Sequence, residues 1–150
     1  MIDYYAVQSD IKTILSGGTY TDTVKEYFIE AMERDMMLGN MPFINVRMDS
    51  ANLEVRSLPN GYMGYILFKI DVVCFDLTEY KKASIVRDRL LKEVQLRLQS
   101  NRQFSAGVET SQVGPRVEFS AGIAEENDLV RGHVAAAAFD FVVTVFIEPA

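Results

Sequence analysis

The stretch from Arg131 to Pro149 constrains the fold more than any other part of the chain. It reads Arg-Gly-His-Val-Ala-Ala-Ala-Ala-Phe-Asp-Phe-Val-Val-Thr-Val-Phe-Ile-Glu-Pro, β-branched and aromatic toward its far end and stopped by a proline. Such residues suit a pleated, half-buried surface, and proline cannot donate to a ladder, so one long β-strand is expected here. Tyr62 to Phe75 (Tyr-Met-Gly-Tyr-Ile-Leu-Phe-Lys-Ile-Asp-Val-Val-Cys-Phe) is its twin. Alternation there places Ile66, Phe68, Ile70, Val72 and Cys74 on one face and Leu67, Lys69, Asp71 and Val73 on the other. The second face is half polar, so it is expected to be partly exposed or to meet a partner. The sheet core is expected to be built from Ile66, Phe68, Ile70 and Val72 together with Phe139, Phe141, Val143 and Val145.

Directly after the first long strand, Asp76-x-x-Glu79 has the form of a capping box, followed by a helix to about Ser100 with Asn101 as its stop. Ala83, Val86, Leu90, Val94 and Leu98 make its core stripe. Ile85 and Leu96 do not belong to that stripe. At about 100° per residue they lie roughly opposite Val94 and within about 20° of each other, with Asp88, Arg89 and Lys92 between them. Two aligned apolar residues among charges of both signs point to a subunit contact, although single exposed apolar residues are normal.

Helical spacing also marks residues 2 to 16 (Tyr4, Val7, Ile11, Ile14, Leu15), stopped at Gly17-Gly18. A second helical pattern runs from about Val24 to Leu38 through Phe28, Ala31, Met32 and Met36, with Asp22 or Thr23 available as its cap. Pro42 opens a short strand in which Ile44, Val46 and Met48 alternate with Asn45 and Arg47, and Leu53 to Leu58 is a further candidate. Pro59-Asn60-Gly61 is a hairpin turn, because Asn-Gly tolerates positive φ. Phe104–Gln112 and Val113–Ile123 read as two extended segments around Gly114-Pro115, and Ala124–Asp128 as an acidic turn. The resulting fold class is α+β, a mixed and largely antiparallel sheet with helices packed on one face, a long β-hairpin and a long C-terminal strand. With 150 residues, 49% of them hydrophobic, a single domain with a real core is expected over 1–150.

A net charge of −6 argues against nucleic-acid binding along the surface. The single cysteine, Cys74, excludes an intrachain disulfide and suits a reducing cytoplasm. No secretory leader is expected from Met-Ile-Asp-Tyr-Tyr, and no apolar run approaches the roughly 18 residues of a membrane span. His133 is the only histidine, so neither a Ser-His-Asp nor a Cys-His pairing can be built without it, and it reads as a packed or surface side chain. No zinc ligand set, phosphate loop or nucleophile elbow is present. Glu125, Glu126 and Asp128 lack the spacing of a calcium loop and read as a solvated turn. Met32, Met36, Met37, Met41 and Met48 are either an adaptable contact surface or core filling. No enzymatic activity, cofactor or metal is expected.

The order of elements is helix, helix, the Met41-Pro42-Phe43-Ile44-Asn45-Val46 strand, hairpin, long strand, Asp76-capped helix, two extended segments and a terminal strand ending Phe146-Ile147-Glu148-Pro149. Over nearly the whole chain this resembles the tail terminator, or tail completion, proteins of long-tailed bacteriophages. The 24–38 helical pattern departs from that group, and the segment could instead be extended. The resemblance implies an α/β sandwich and a virion protein made in the host cytoplasm. Such a protein forms a ring, a hexamer, that caps the tail tube and joins it to the head connector or neck protein. It implies no catalytic residues, no membrane and no sequence-specific nucleic-acid contact. A head–tail adaptor or neck subunit is the neighbouring reading, and a small ligand-binding α+β domain the more distant one. Candidate subunit contacts are Ile85, Asp88, Arg89, Lys92 and Leu96, with Lys69 and Asp71 as a second patch. Candidate tube and connector contacts are Arg116, Glu125, Glu126 and Asp128, on loops expected between Phe104 and Arg131.

Overall fold

The computed structural model describes residues 2–102, 104, 108–126 and 130–147. Helix α1 (Tyr4–Ser16) is followed by strands β1 (Glu26–Ile29), β2 (Phe43–Leu58) and β3 (Gly61–Asp76), helix α2 (Tyr80–Ser100), and strands β4 (Val108–Glu126) and β5 (Val130–Ile147). The five strands form one sheet in the order β1-β2-β3-β5-β4. β1 runs parallel to β2, and every other neighbour is antiparallel, so the sheet is mixed. The fold is α+β, with both helices on one face.

The two long strands lie side by side, in register from Tyr62 opposite Ile147 to Asp76 opposite His133. That register sets Phe68 against Phe141 and Ile70 against Phe139, and these four side chains are fully buried together with Ile66, Val72, Val143 and Val145. From α2, Leu90, Leu91, Val94 and Leu98 cover them, Val86 packs at the margin, and Ala83 is buried as well. From α1, Val7, Ile11, Ile14 and Leu15 complete the layer. α1 begins where the Asp3 carboxylate accepts the Ala6 N–H at 3.0 Å, and it ends at Gly17, whose N–H donates to Thr13 O.

Several local expectations are corrected. Residues 24–38 are not a helix. Glu26–Ile29 is strand β1, and two short 3-10 turns follow at Glu33–Asp35 and Leu38–Asn40. The apolar residues that suggested a helical stripe are shared out. Phe28 packs edge-on to Phe43 at 5.4 Å between centroids, while Met32 and Met36 are exposed. Asp22 caps nothing there and instead holds Arg89 of α2. Residues 43–48 and 53–58 belong to a single strand with two register shifts, and Pro42 precedes it. Gly64 of β3 lies beneath the second shift, where a Cβ would overlap the backbone of Asn52 and Leu53. Between β2 and β3 the turn residues are Pro59 and Asn60, with Leu58 opposite Gly61, and Asn60 does not take positive φ.

Asp76 does not form a capping box. It accepts from Thr78 N, Thr78 Oγ1 and Glu79 N, a tight side-chain turn that precedes the helix, whose N-cap is Glu79. The expected loops from 104 to 131 are mostly strand. The two extended segments are one strand, β4, with an irregularity between Val113 and Val117, and 124–126 still pairs with β5 rather than turning.

Candidate functional site

Three surfaces present the side chains singled out above. The first is the back of α2. Ile85 is 50% and Leu96 51% exposed, and Asp88, Arg89 and Lys92 are exposed between them, so the helix brings all five onto one face away from the core. Two of the charges are already engaged. Arg89 makes a two-pronged ion pair with Asp22, 2.7 Å at each prong, which ties the chain before β1 to the helix. Asp88 accepts from Arg87 Nε at 2.9 Å.

The second surface is the sheet face opposite the helices. Here Lys69 and Asp71 project from β3, as alternation requires. Asp71 accepts two hydrogen bonds from Arg47, at 2.6 and 2.8 Å, and one from Asn45 at 3.0 Å. Lys69 Nζ lies 3.3 Å from Asp140 and 3.5 Å from Glu118, and Glu118 in turn meets Arg116 at 2.8 Å. A row of alternating charges therefore crosses the sheet from β2 to β4. Beside it lies a groove of about 630 Å³, with Val73, Ala136 and Ala138 in its floor and Met36, Met41 and Phe43 along one wall. Met41 and Phe43 are buried with Leu38 in a small second core that closes one end of this face. The methionines thus divide: Met41 fills that core, Met48 packs against the main one, and Met32, Met36 and Met37 are exposed.

The third surface is β4. Arg116 stands in its irregular stretch, and Glu125 pairs with Arg131 across the ladder at 2.9 Å, so these two candidates lie far apart along one strand and form no common site. Glu126 ends that strand, and Asp128 lies outside the described residues. Sequence reading missed Phe119 and Ile123, which are 58% and 55% exposed on the helix side of β4. The Phe119 ring lies 4.9 Å from the guanidinium of Arg87, itself buried. Their alternation with Ala121 was the available signal. Reading β4 as two pieces with loops hid it. Arg47 and Asn45 were also missed. Their charge and amide match Asp71 only through the register of β2 on β3.

Chemically, the polar side chains on these surfaces bond mainly to one another. Cys74 is fully buried, and burial pushes its thiol up to about 12, so the nucleophilic thiolate is disfavoured. His133 is half-buried in a strand position opposite Asp76 and Ile123. Among the described residues no group of three or more His, Cys, Asp or Glu is placed to hold a metal ion, and no helix is long and apolar enough to cross a membrane. The chain has no match among protein-family models or curated proteins.

Proposed function

We propose that this chain is the subunit of a homomeric ring, a hexamer, that caps the tail tube of a long-tailed bacteriophage and joins it to the head connector. The observation that carries the reading is the half-exposure of Ile85 and Leu96 on the back of α2. Neither residue serves the core, and both sit among charges that would rim an interface. Neighbours in a ring meet through two different patches. The back of α2 and the charge row on the far side of the sheet lie on opposite sides of the protomer, an arrangement suited to head-to-tail contact. The order of elements supports the same reading, with the N-terminal segment extended as the resemblance to tail terminators allowed.

The groove on the open sheet face favours a second reading, a ligand-binding domain, since it is concave and largely apolar. Against it, Arg47 and Asp71 at its margin satisfy each other.

Electron microscopy of the purified protein is the test. Rings with a central opening are expected. The double variant Ile85→Asp with Leu96→Asp should lose them while melting like the wild type. A protein that stays a single chain at every concentration and binds a small molecule in the groove would replace the ring reading with the second.

A further inference from the structure

The two edges of the sheet differ in how they are protected. On one side β1 is only four residues long and is followed by Glu30, held at a φ of 52°. Beyond it, β2 carries two register shifts in its ladder with β3. These are the usual devices that keep a sheet edge from recruiting another strand. On the other side is β4, 19 residues long, with no strand on its outer edge among the described residues. Its first half carries an irregularity, Pro115 and Arg116. From Val117 to Glu126 the ladder with β5 is regular. Within it, Phe119-Ser120-Ala121-Gly122-Ile123-Ala124 contains no charge and no proline. Every residue from 118 to 123 is exposed, whichever face it points to, so no helix or loop among the described residues covers this edge.

The segment is also complementary to itself. Phe119, Ala121 and Ile123 share the helix side, opposite Ala137, Ala135 and His133 of β5. An antiparallel copy centred on Ala121 would set Phe119 against the partner's Ile123, and Ile123 against the partner's Phe119. Ser120 would face the partner's Gly122, a position where a Cβ would meet nothing within 4 Å. Glu118 would face the partner's Ala124, and Glu125 the partner's Val117. No like charges stand directly opposite each other, and both carboxylates already have cations, Arg116 and Lys69 for Glu118 and Arg131 for Glu125.

We propose that β4 pairs with β4 of a second copy across a two-fold axis at Ala121, joining the two sheets into one and covering Phe119 with Ile123. The pairing stands on β4 alone and does not depend on the ring reading. If rings form, it joins them two by two. The contact is small, so it is concentration-dependent.

Sedimentation of four proteins, from micromolar to millimolar concentration, tests it. Wild type is expected to reach species with an even number of chains. Phe119→Glu with Ile123→Glu places like charges opposite each other at both sites and should halve the mass. Phe119→Glu with Ile123→Lys places opposite charges there and should restore the wild-type mass. Both variants share Phe119→Glu, which sets a carboxylate beside Arg87, so a fold defect from that change would appear equally in each. Ile85→Asp with Leu96→Asp should remove rings and leave the pair. A wild type that remains one chain, or an odd-numbered assembly, overturns the proposal, as does identical behaviour of the two Phe119 variants.

Discussion

On the helix side of β3, Ile66, Phe68, Ile70, Val72 and Cys74 are fully buried. On the other side of the same strand, Lys69 and Asp71 reach sideways to Asp140, Glu118, Arg47 and Asn45. The first face is stabilised by area removed from water, which is non-directional and grows with each methylene. The second is stabilised by geometry. Its charges gain modestly from one another, but each is costly to leave unpaired when partly desolvated. Removing a side chain from the first face should therefore cost more, and should depend little on salt or pH.

The largest effect is expected from Phe68→Ala, whose buried ring lies between β2 and β5 in the centre of the sheet, at about 3–5 kcal/mol. Leu90→Ala, from the helix above it, should cost about 2–5 kcal/mol. Denaturant melts measure both, and a neutral result for either would mean that its element does not pack as described.

Asp71→Ala should come next, at about 1–3 kcal/mol, because it strands Arg47 and the fully buried Asn45 without their shared acceptor. Restoring most of that loss with Asp71→Asn would show that the hydrogen bonds matter more than the charge. Lys69→Met should cost about 1 kcal/mol or less, and its effect should shrink in high salt, where that of Phe68→Ala should not. Equal salt dependence of the two would erase the distinction between the faces.

The smallest effect belongs to Asp76, at the end of β3. The hydrogen bond from the Thr78 hydroxyl, followed by the N–H groups of Glu79 and Thr78, holds its carboxyl at about 2, below the ordinary 3.8. A lowered value means that the stabilisation is present above the unfolded value and lost as pH falls toward the folded one. The stability gap between wild type and Asp76→Asn should be constant above about pH 5 and close between about pH 4 and 2. A gap that persists at the acid end would assign the effect to shape rather than charge.

Legibility in the sequence followed the range of the interactions. β3, β5, α1 and α2 were readable because each repeats its own period over many residues, so local pattern and tertiary burial agree. The 24–38 segment misled because Phe28 and Met36 fall at helical spacing, yet Phe28 is placed by Phe43 and the ladder to β2, which no local pattern contains. The split of β4 misled because Gly114-Pro115 has the form of a turn, and the irregularity there is absorbed only because β5 continues alongside. Among the candidate contact residues, the exposure of Ile85 and Leu96 was readable from helical phase alone. The Arg47–Asp71 pair and the Phe119–Ile123 edge were not.

By itself the sequence determined two long strands, the helix that covers them, which side chains face inward, and the apolar pair left on the back of α2, since all of these depend on periodicities of two and 3.6 residues. Only the tertiary structure decided that β5 lies between β3 and β4, that charges on four strands form one row, and that β4 has no further strand on its outer edge among the described residues. Strand order and register join residues far apart in the chain, and a register is chosen by the competition among all pairings at once rather than by any single segment.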